Sequence, residues 1–340
     1  MAHKHRFIFE GSGRSLAKEA WRFLGQSARL GQLQGALVDQ YLTLLKRPQS
    51  RLQARLRLIN IEPTNYCNQR CRFCATGLNT NKRPKGKMDL ATFRKIMAHV
   101  PTGCTIMLAG FGEPFVNENM EAFLEEVAHR GLADRLELYS NFGVMTESRV
   151  RGLLDHPFRR IIVSLDSMSR QTFIEQKGVD EFDKVWDNLK VLADEAKQRG
   201  GVPQGLTVQM IVTKKTAHER QRFLDTIGSL NLTPRLKLLN VHSPRFTAAQ
   251  IKEFEVEGMS RYRHSGYSRR CEWVWGGMMV YWNGDVTLCC QDPTGLSTYG
   301  SVHQDDVPAL LNTVPGRCEF RRRYFEDPSQ IDICRNCDIA

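Results

Sequence analysis

Cys67, Cys71 and Cys74 fall within eight residues, spaced Cys-x3-Cys-x2-Cys. Thiolates this close on one short loop can hold three corners of a [4Fe–4S] cube. The fourth iron is then open to an external ligand, and an open position marks catalytic rather than structural metal sites. Two blander readings stand beside this one: a zinc ion taking a fourth ligand from elsewhere, and thiols that are merely buried. The other cysteines are unevenly placed. Cys271, Cys289 and Cys290 lie late in the chain, and Cys334-x2-Cys337 lies close to its end. Cys104 and Cys318 have no ligand-like spacing, and a buried small apolar side chain is their default role.

Three further segments carry polar or glycine-rich chemistry in order after the thiol loop. Gly110-Phe111-Gly112-Glu113-Pro114 pairs a carboxylate with glycines that let backbone approach a ligand closely. A plain tight turn would look the same. Ser140-Asn141 and Ser164-Leu165-Asp166 close two later strand-like runs, where such residues also start turns and cap helices.

The thiol spacing, with aromatic Phe73 just before the last cysteine, resembles the signature of the radical S-adenosylmethionine (SAM) superfamily. The resemblance covers about residues 55–243. It implies that Cys67, Cys71 and Cys74 bind a [4Fe–4S] cluster whose unique iron is chelated by SAM. One electron would then cleave SAM to methionine and a 5′-deoxyadenosyl radical, which abstracts a substrate hydrogen. It also implies that Phe73 lies near the adenine. Gly110, Gly112, Glu113 and Pro114 are similar to the family's Gly-Gly-Glu-Pro motif, which receives the SAM ammonium; Phe111 departs from the Gly-Gly pair. Ser140, Asn141, Ser164 and Asp166 resemble segments that contact ribose, methionine or substrate. The family's usual reductant is a flavodoxin- or ferredoxin-type protein.

The C-terminal segment is similar to the start of the SPASM extension carried by many members. Cys271, twelve residues, Gly284, four residues and Cys289 precede Cys334-x2-Cys337. A full SPASM domain binds two clusters and needs about seven cysteines. Only three residues follow Cys337 here, so the resemblance narrows to the shortened twitch form, with one auxiliary [4Fe–4S] cluster on Cys271, Cys289, Cys334 and Cys337. Four thiolates would also suit structural zinc. Between the adjacent thiols, strand alternation decides: Cys290 shares a face with Val286 and Leu288, and Cys289 shares the face of Asp285 and Thr287.

The elements that must position these residues follow a βα rhythm. Strands are expected at Leu56–Ile61, Thr105–Ala109, Arg135–Tyr139, Ile161–Leu165, Leu206–Val212 and Leu236–Val241. Helices are expected between them at Asp89–His99, Glu118–Arg130, Glu147–Leu154, Glu181–Arg199 and Ala217–Leu230. Six strands alternating with helices predict an α/β fold, a partial (β/α)6 TIM-like barrel. Right-handed crossovers put the loops after the strands on one rim, where the chemistry belongs. Residues 1–54 read as a basic helical extension, 55–243 as the radical SAM core and 244–270 as a linker with one short helix. Residues 271–340 read as a small α+β twitch-like domain, with Asn283-Gly284 as a two-residue hairpin turn.

The chain has 340 residues, of which 41% are apolar and 25% charged, the profile of a folded globular protein. No apolar run approaches the roughly 18 residues of a membrane span. Ten cysteines without a secretory signal point to metal sites in a reducing cytoplasm. Lysine and arginine exceed acidic residues by 48 − 37 = 11, which suits a soluble basic surface or an anionic partner. Neither zinc-finger spacing nor a ribonucleoprotein motif argues for nucleic acid. The nine histidines show no metal pairing, and His242 alone stands at a suggestive rim position. No hydrogen donor or general base can be named.

Twitch-bearing members include an aminocyclitol dehydrogenase and the cyclase of molybdopterin synthesis. The resemblance therefore implies redox modification of a small polar molecule: a sugar, cyclitol or nucleoside. Two alternatives remain open, a maturase of ribosomally made peptides and a non-catalytic iron–sulfur electron carrier.

Overall fold

Ile59 and Ile61 alternate with Leu58 and Asn60 along Leu58–Ile61 (β1), so one face of the strand is apolar and the other is mixed. In the computed structural model, which describes residues 54–201, 203, 205–239, 247–256, 271–335 and 337, β1 lies inside one nine-stranded sheet. Thr105–Leu108 (β2), Leu136–Ser140 (β3), Arg160–Ser164 (β4), Leu206–Val212 (β5) and Thr233–Leu238 (β6) run parallel beside it in that order. The connections carry Leu90–Met97 (α1), Met120–His129 (α2), Glu147–Gly152 (α3), Arg170–Lys177 (α4), Phe182–Gln198 (α5) and Arg220–Ser229 (α6). β6 forms one edge of the sheet and does not return to β1, so the (β/α)6 barrel is open.

Helices α1–α6 pack against one face. Ile59, Ile61, Ile106, Leu108, Leu138, Ile161, Val163, Leu206 and Val208 pack with Phe93, Phe123, Leu189 and Phe223 in the main core. Phe93 and Phe123 stack at 4.2 Å between ring centres. Burying a side chain of this size contributes about 1.5–3 kcal/mol. The opposite face carries Asn60, Met107, Glu137, Tyr139, Arg160, Ile162, Thr207, Gln209 and Arg235, since register partners share a face. That polar face is the interior of the open barrel.

Ala248–Phe254 (α7) lies against the end of β5, where Lys214 N donates to Phe254 O at 2.9 Å. Beyond Glu272–Trp275 (α8), Gly277–Val280 (β7) pairs in parallel with β1. Asp285–Thr287 (β8) pairs antiparallel with β7, and Thr298–Ser301 (β9) antiparallel with β8, in the same sheet. The C-terminal segment therefore grows out of the barrel's first strand. Val307–Asn312 (α9) and Pro315–Glu326 (α10) close it. Arg317 of α10 is fully buried and donates to the carbonyls of Trp273, Val274 and Gly277, while Arg321 donates to Val274 and Trp275.

Several expected bounds shift for local reasons. β6 starts at Thr233 rather than Leu236, because an edge strand tolerates the missing N–H of Pro234. The hairpin holds one more residue than a two-residue turn: Met279 pairs with Thr287 and Val280 with Val286. Gly284 sits at φ 84° and its N–H donates to Tyr281 O at 2.9 Å, a turn closed by a left-handed glycine. Helix α4 is not expected from the sequence, yet it is well bracketed. Ser169 Oγ accepts from Thr172 N, and Gly178 ends it at φ 69°. The helical reading of residues 1–53, the strand end at Val241, His242 and much of the linker lie outside the described residues.

Candidate active site

The thiol loop follows β1 at the carboxyl end of the sheet and is fixed by backbone on two sides. Arg70 N donates to Lys177 O at 2.8 Å and Arg72 N to Gln176 O at 3.0 Å, tying the loop to the end of α4. Glu113 N donates to Tyr66 O at 2.8 Å, tying it to the glycine-rich turn. A side chain at Gly77 would run into the backbone of Arg70 and Cys71, and one at Gly112 into the carbonyls of Thr64 and Tyr66. Glycine is required at both positions for the loops to approach.

Cys67, Cys71 and Cys74 are half-buried and unpaired by disulfides. Burial pushes the Cys67 thiol up to about 12, and burial also moves Cys71 upward. Such thiols keep their protons unless a metal replaces them. Among the described residues no three candidate side chains converge on a single ion. Ligands of a cube need not do so, because each thiolate serves its own iron. Asn141 Nδ2 lies 3.7 Å from Cys67 Sγ and donates to Asn68 Oδ1 at 2.9 Å. Asn68 and Gln69 in turn donate to Glu181 at 2.7 and 3.1 Å.

Glu113 is the buried acid of the site. Its Oε1 accepts from Ser140 Oγ at 2.8 Å and Phe115 N at 3.3 Å, and its Oε2 from Asn141 N at 2.7 Å. A carboxylate has about four lone-pair positions, so Oε2 keeps one for a ligand. Burial outweighs these donors and raises Glu113 to about 7. Ser140 is thereby a support for Glu113, and Pro114 begins the short 3-10 turn that carries it. Gly110 lies against the Glu62 side chain, which pairs with Arg83 at 2.7 and 2.8 Å. The Arg83 guanidinium lies 3.6 Å over the Tyr281 ring, and Trp282 N donates to Glu62, so this buried pair links the thiol loop to the C-terminal hairpin.

Phe73 packs with Leu78, Ile211, Leu239 and Phe254 at the ends of β5 and β6. The Ser164 carbonyl accepts from Lys177 Nζ at 3.0 Å. Asp166 is engaged on both oxygens, by Ile211 N at 2.7 Å and Lys177 Nζ at 2.6 Å. Lys177 is a site residue that sequence reasoning missed. A lysine at the end of a polar helix reads as solvated, and only the succeeding Gly178 hints at a tight approach.

The second thiol group is gathered by packing. Cys271 and Cys334 are buried together with Val274, Leu288, Phe320, Tyr324, Ile331 and Ile333, and Cys289 and Cys337 pack against them. Burial, reinforced by the neighbouring Cys289, raises Cys271 to about 12. Cys290 packs elsewhere, against the group of Ala75, Phe111, Met279 and Tyr281. Cys289 and Cys290 thus join different packed groups, and the face alternation expected for a continuous strand does not extend to them. β8 ends at Thr287, and Leu288 packs beside the four thiols rather than with Cys290. Cys104 is buried in the main core, and Cys318 Sγ lies 3.5 Å from Asn312 O. We expect Cys289→Ala to remove the C-terminal iron and Cys290→Ala to leave iron content unchanged, as read by metal analysis after anaerobic reconstitution.

Thiols, a buried carboxylate and polar turns at the carboxyl rim of an open βα barrel define an iron–sulfur enzyme of the barrel type. The chain belongs to the radical SAM superfamily: that family's profile matches residues 61–227, and the SPASM iron–sulfur cluster-binding domain matches 271–338. Its cofactors are accordingly a [4Fe–4S] cluster, SAM and auxiliary iron–sulfur. The donor sets present suit them, with three thiols beside a rim of glycine backbone and four thiols packed as one group.

The chain is 30% identical to a GTP 3′,8-cyclase of Campylobacter curvus over 60% of this chain and 68% of that protein. It is 29% identical to an uncharacterized protein of Methanocaldococcus jannaschii over 39% of this chain and 42% of that one. It thus spans less than half the length of the latter. BtrN in complex with AdoMet and 2-DOIA shares the fold at TM-score 0.54 and 17% identity, covering 84% of this chain and 94% of that one. SuiB of Streptococcus suis bound to S-adenosylmethionine does so at TM-score 0.59 and 14% identity, covering 89% and 80%. Among the described residues no helix is long and apolar enough to cross a membrane.

Proposed function

We propose that the chain oxidises or otherwise redox-modifies a small anionic molecule, a sugar, cyclitol or nucleoside derivative, held on the polar inner face of the barrel. Cys67, Cys71 and Cys74 hold the catalytic cluster; Phe73, Gly110, Gly112, Glu113, Pro114, Asn141 and Ser164 line the SAM position. Cys271, Cys289, Cys334 and Cys337 hold the auxiliary cluster. When bound and reduced by a flavodoxin- or ferredoxin-type donor, the cofactors supply a 5′-deoxyadenosyl radical that abstracts a hydrogen from a C–H bond. The protein's part is to place that bond, exclude water and carry charge.

One observation supports the substrate class. Ser164, Gln209 and Arg235 are direct register partners across β4, β5 and β6, and Ile211 and Lys237 form the next row. Gln209 is buried, and its Oε1 accepts no hydrogen bond. Arg235 has no ion-pair partner among the described residues. A buried acceptor and an uncommitted guanidinium at the height of the cluster rim suit a polar ligand with an oxyanion. A neutral peptide would leave the arginine uncompensated.

The test is anaerobic incubation with SAM and dithionite against nucleotides, sugar phosphates and short peptides. An anionic small molecule is expected to raise 5′-deoxyadenosine formation above the uncoupled background, and Arg235→Met to raise its KM about tenfold with kcat retained. Stimulation by peptides alone would favour the maturase reading.

A further inference from the structure

Lys177 and Asp166 form an ion pair at 2.6 Å with both side chains only 2% exposed. Burying two charges is costly unless their geometry satisfies them. Here the remaining groups are placed with care. Lys177 Nζ also donates to Ser164 O at 3.0 Å, and Asp166 Oδ1 accepts from Ile211 N at 2.7 Å. Asp166 holds φ at 64°, a left-handed conformation that costs a residue with a side chain about 1–3 kcal/mol.

The pair faces the thiol loop. Lys177 interacts electrostatically with Asp166, Cys71 and Cys67, and its charge also reaches Glu113. Its own carbonyl and that of Gln176 accept from Arg70 N and Arg72 N, the residues flanking Cys71. A side chain on Gly178 would meet the Arg70 carbonyl at 2.8 Å, so the end of α4 and the loop touch at backbone level. On Cys71 the Lys177 ammonium acts more strongly than the Asp166 carboxylate, and with opposite sign.

We infer that the Lys177–Asp166 pair sets the reduction potential of the cluster on Cys67, Cys71 and Cys74, with Lys177 as the positioning cation and Asp166 as its counterweight. The inference rests on the assignment of that cluster. Adding an electron to the cluster makes it more negative. A fixed cation near its thiolates favours the reduced form, and the anion paired with that cation opposes it. Because the pair itself is buried, salt screens both effects weakly. The two residues therefore act with opposite sign on one quantity, which a scaffold role alone does not produce.

The experiment is a potentiometric titration, followed by electron paramagnetic resonance, of the full-length reconstituted protein without SAM. The auxiliary cluster serves as internal reference. Lys177→Met is expected to lower the potential of the SAM-responsive cluster and Asp166→Asn to raise it. Each shift should be about tenfold in the reduced-to-oxidised ratio, 59 mV for a one-electron couple. Lys177→Arg is expected to restore the wild-type value. Shifts of the same sign, or none with iron content intact, would overturn the inference. If Lys177→Met protein fails to retain the loop's iron, Asp166→Asn decides alone, and a lowered or unchanged potential rejects the idea. If wild-type protein carries no iron that depends on the three loop cysteines, the cluster assignment itself falls, a result distinct from an unmoved potential.

Discussion

Replacing Cys67, Cys71 and Cys74 together by alanine is expected to remove about half of the iron from protein that otherwise holds about eight irons as two [4Fe–4S] clusters. The same variant should form no 5′-deoxyadenosine. The reasoning is structural on both counts. The loop thiols and the C-terminal thiols belong to separate packed groups, so losing one set leaves the other intact. The loop itself is held by backbone bonds from Arg70, Arg72 and Glu113, none of which involves a thiol. Alanine at these three half-buried positions should therefore leave the fold in place, which circular dichroism would check. Loss of all iron would mean that the second group depends on the first.

Glu113→Gln is expected to weaken SAM binding by roughly 10- to 100-fold. Hydrogen bonds to a charged group contribute about 1.5–3 kcal/mol, and each tenfold in affinity is about 1.4 kcal/mol. The substituted amide would also place a donor against Ser140 or the Asn141 N–H, where the carboxylate now accepts. The same residue predicts a pH dependence. Burial raises Glu113 to about 7. Below that pH it is increasingly protonated and offers no charge to an ammonium, so wild-type affinity should fall as pH drops through 7. Glutamine does not titrate, and the variant should lack this slope. Binding by calorimetry at pH 6 and 8 distinguishes the two. A wild-type affinity that is flat or rises toward low pH would remove Glu113 from the SAM position.

Much of this site was legible because its chemistry is local. Three cysteines on one loop, and polar turns after successive strands, are read from adjacent residues. What stayed hidden depends on contacts between distant segments. Helix α4 has few apolar residues and weak periodicity, so Arg170–Lys177 looks like surface until Phe173, Gln176 and Lys177 are found buried. A buried lysine runs against the usual partition of charged side chains, and its partner Asp166 is eleven positions earlier in the chain. The alliance of β7 with β1 was equally invisible, since parallel pairing between residues 58–61 and 277–280 leaves no mark in either segment alone. Arg317 and Arg321 read as the polar face of a helix, yet both are buried against the carbonyls of residues 273–277. Strand alternation could not place Cys289 and Cys290, because the strand ends at Thr287, before either residue.

On the proposed assignment, one cluster is open to SAM and the other is closed. The most direct test of that assignment is electron paramagnetic resonance of dithionite-reduced, anaerobically reconstituted protein with and without SAM. Two [4Fe–4S] signals are expected. The signal lost in the Cys67, Cys71 and Cys74 triple variant should change on SAM addition, while the signal that depends on Cys334 and Cys337 should not. If SAM leaves both signals unchanged, or perturbs the auxiliary one alone, the account of this site is contradicted.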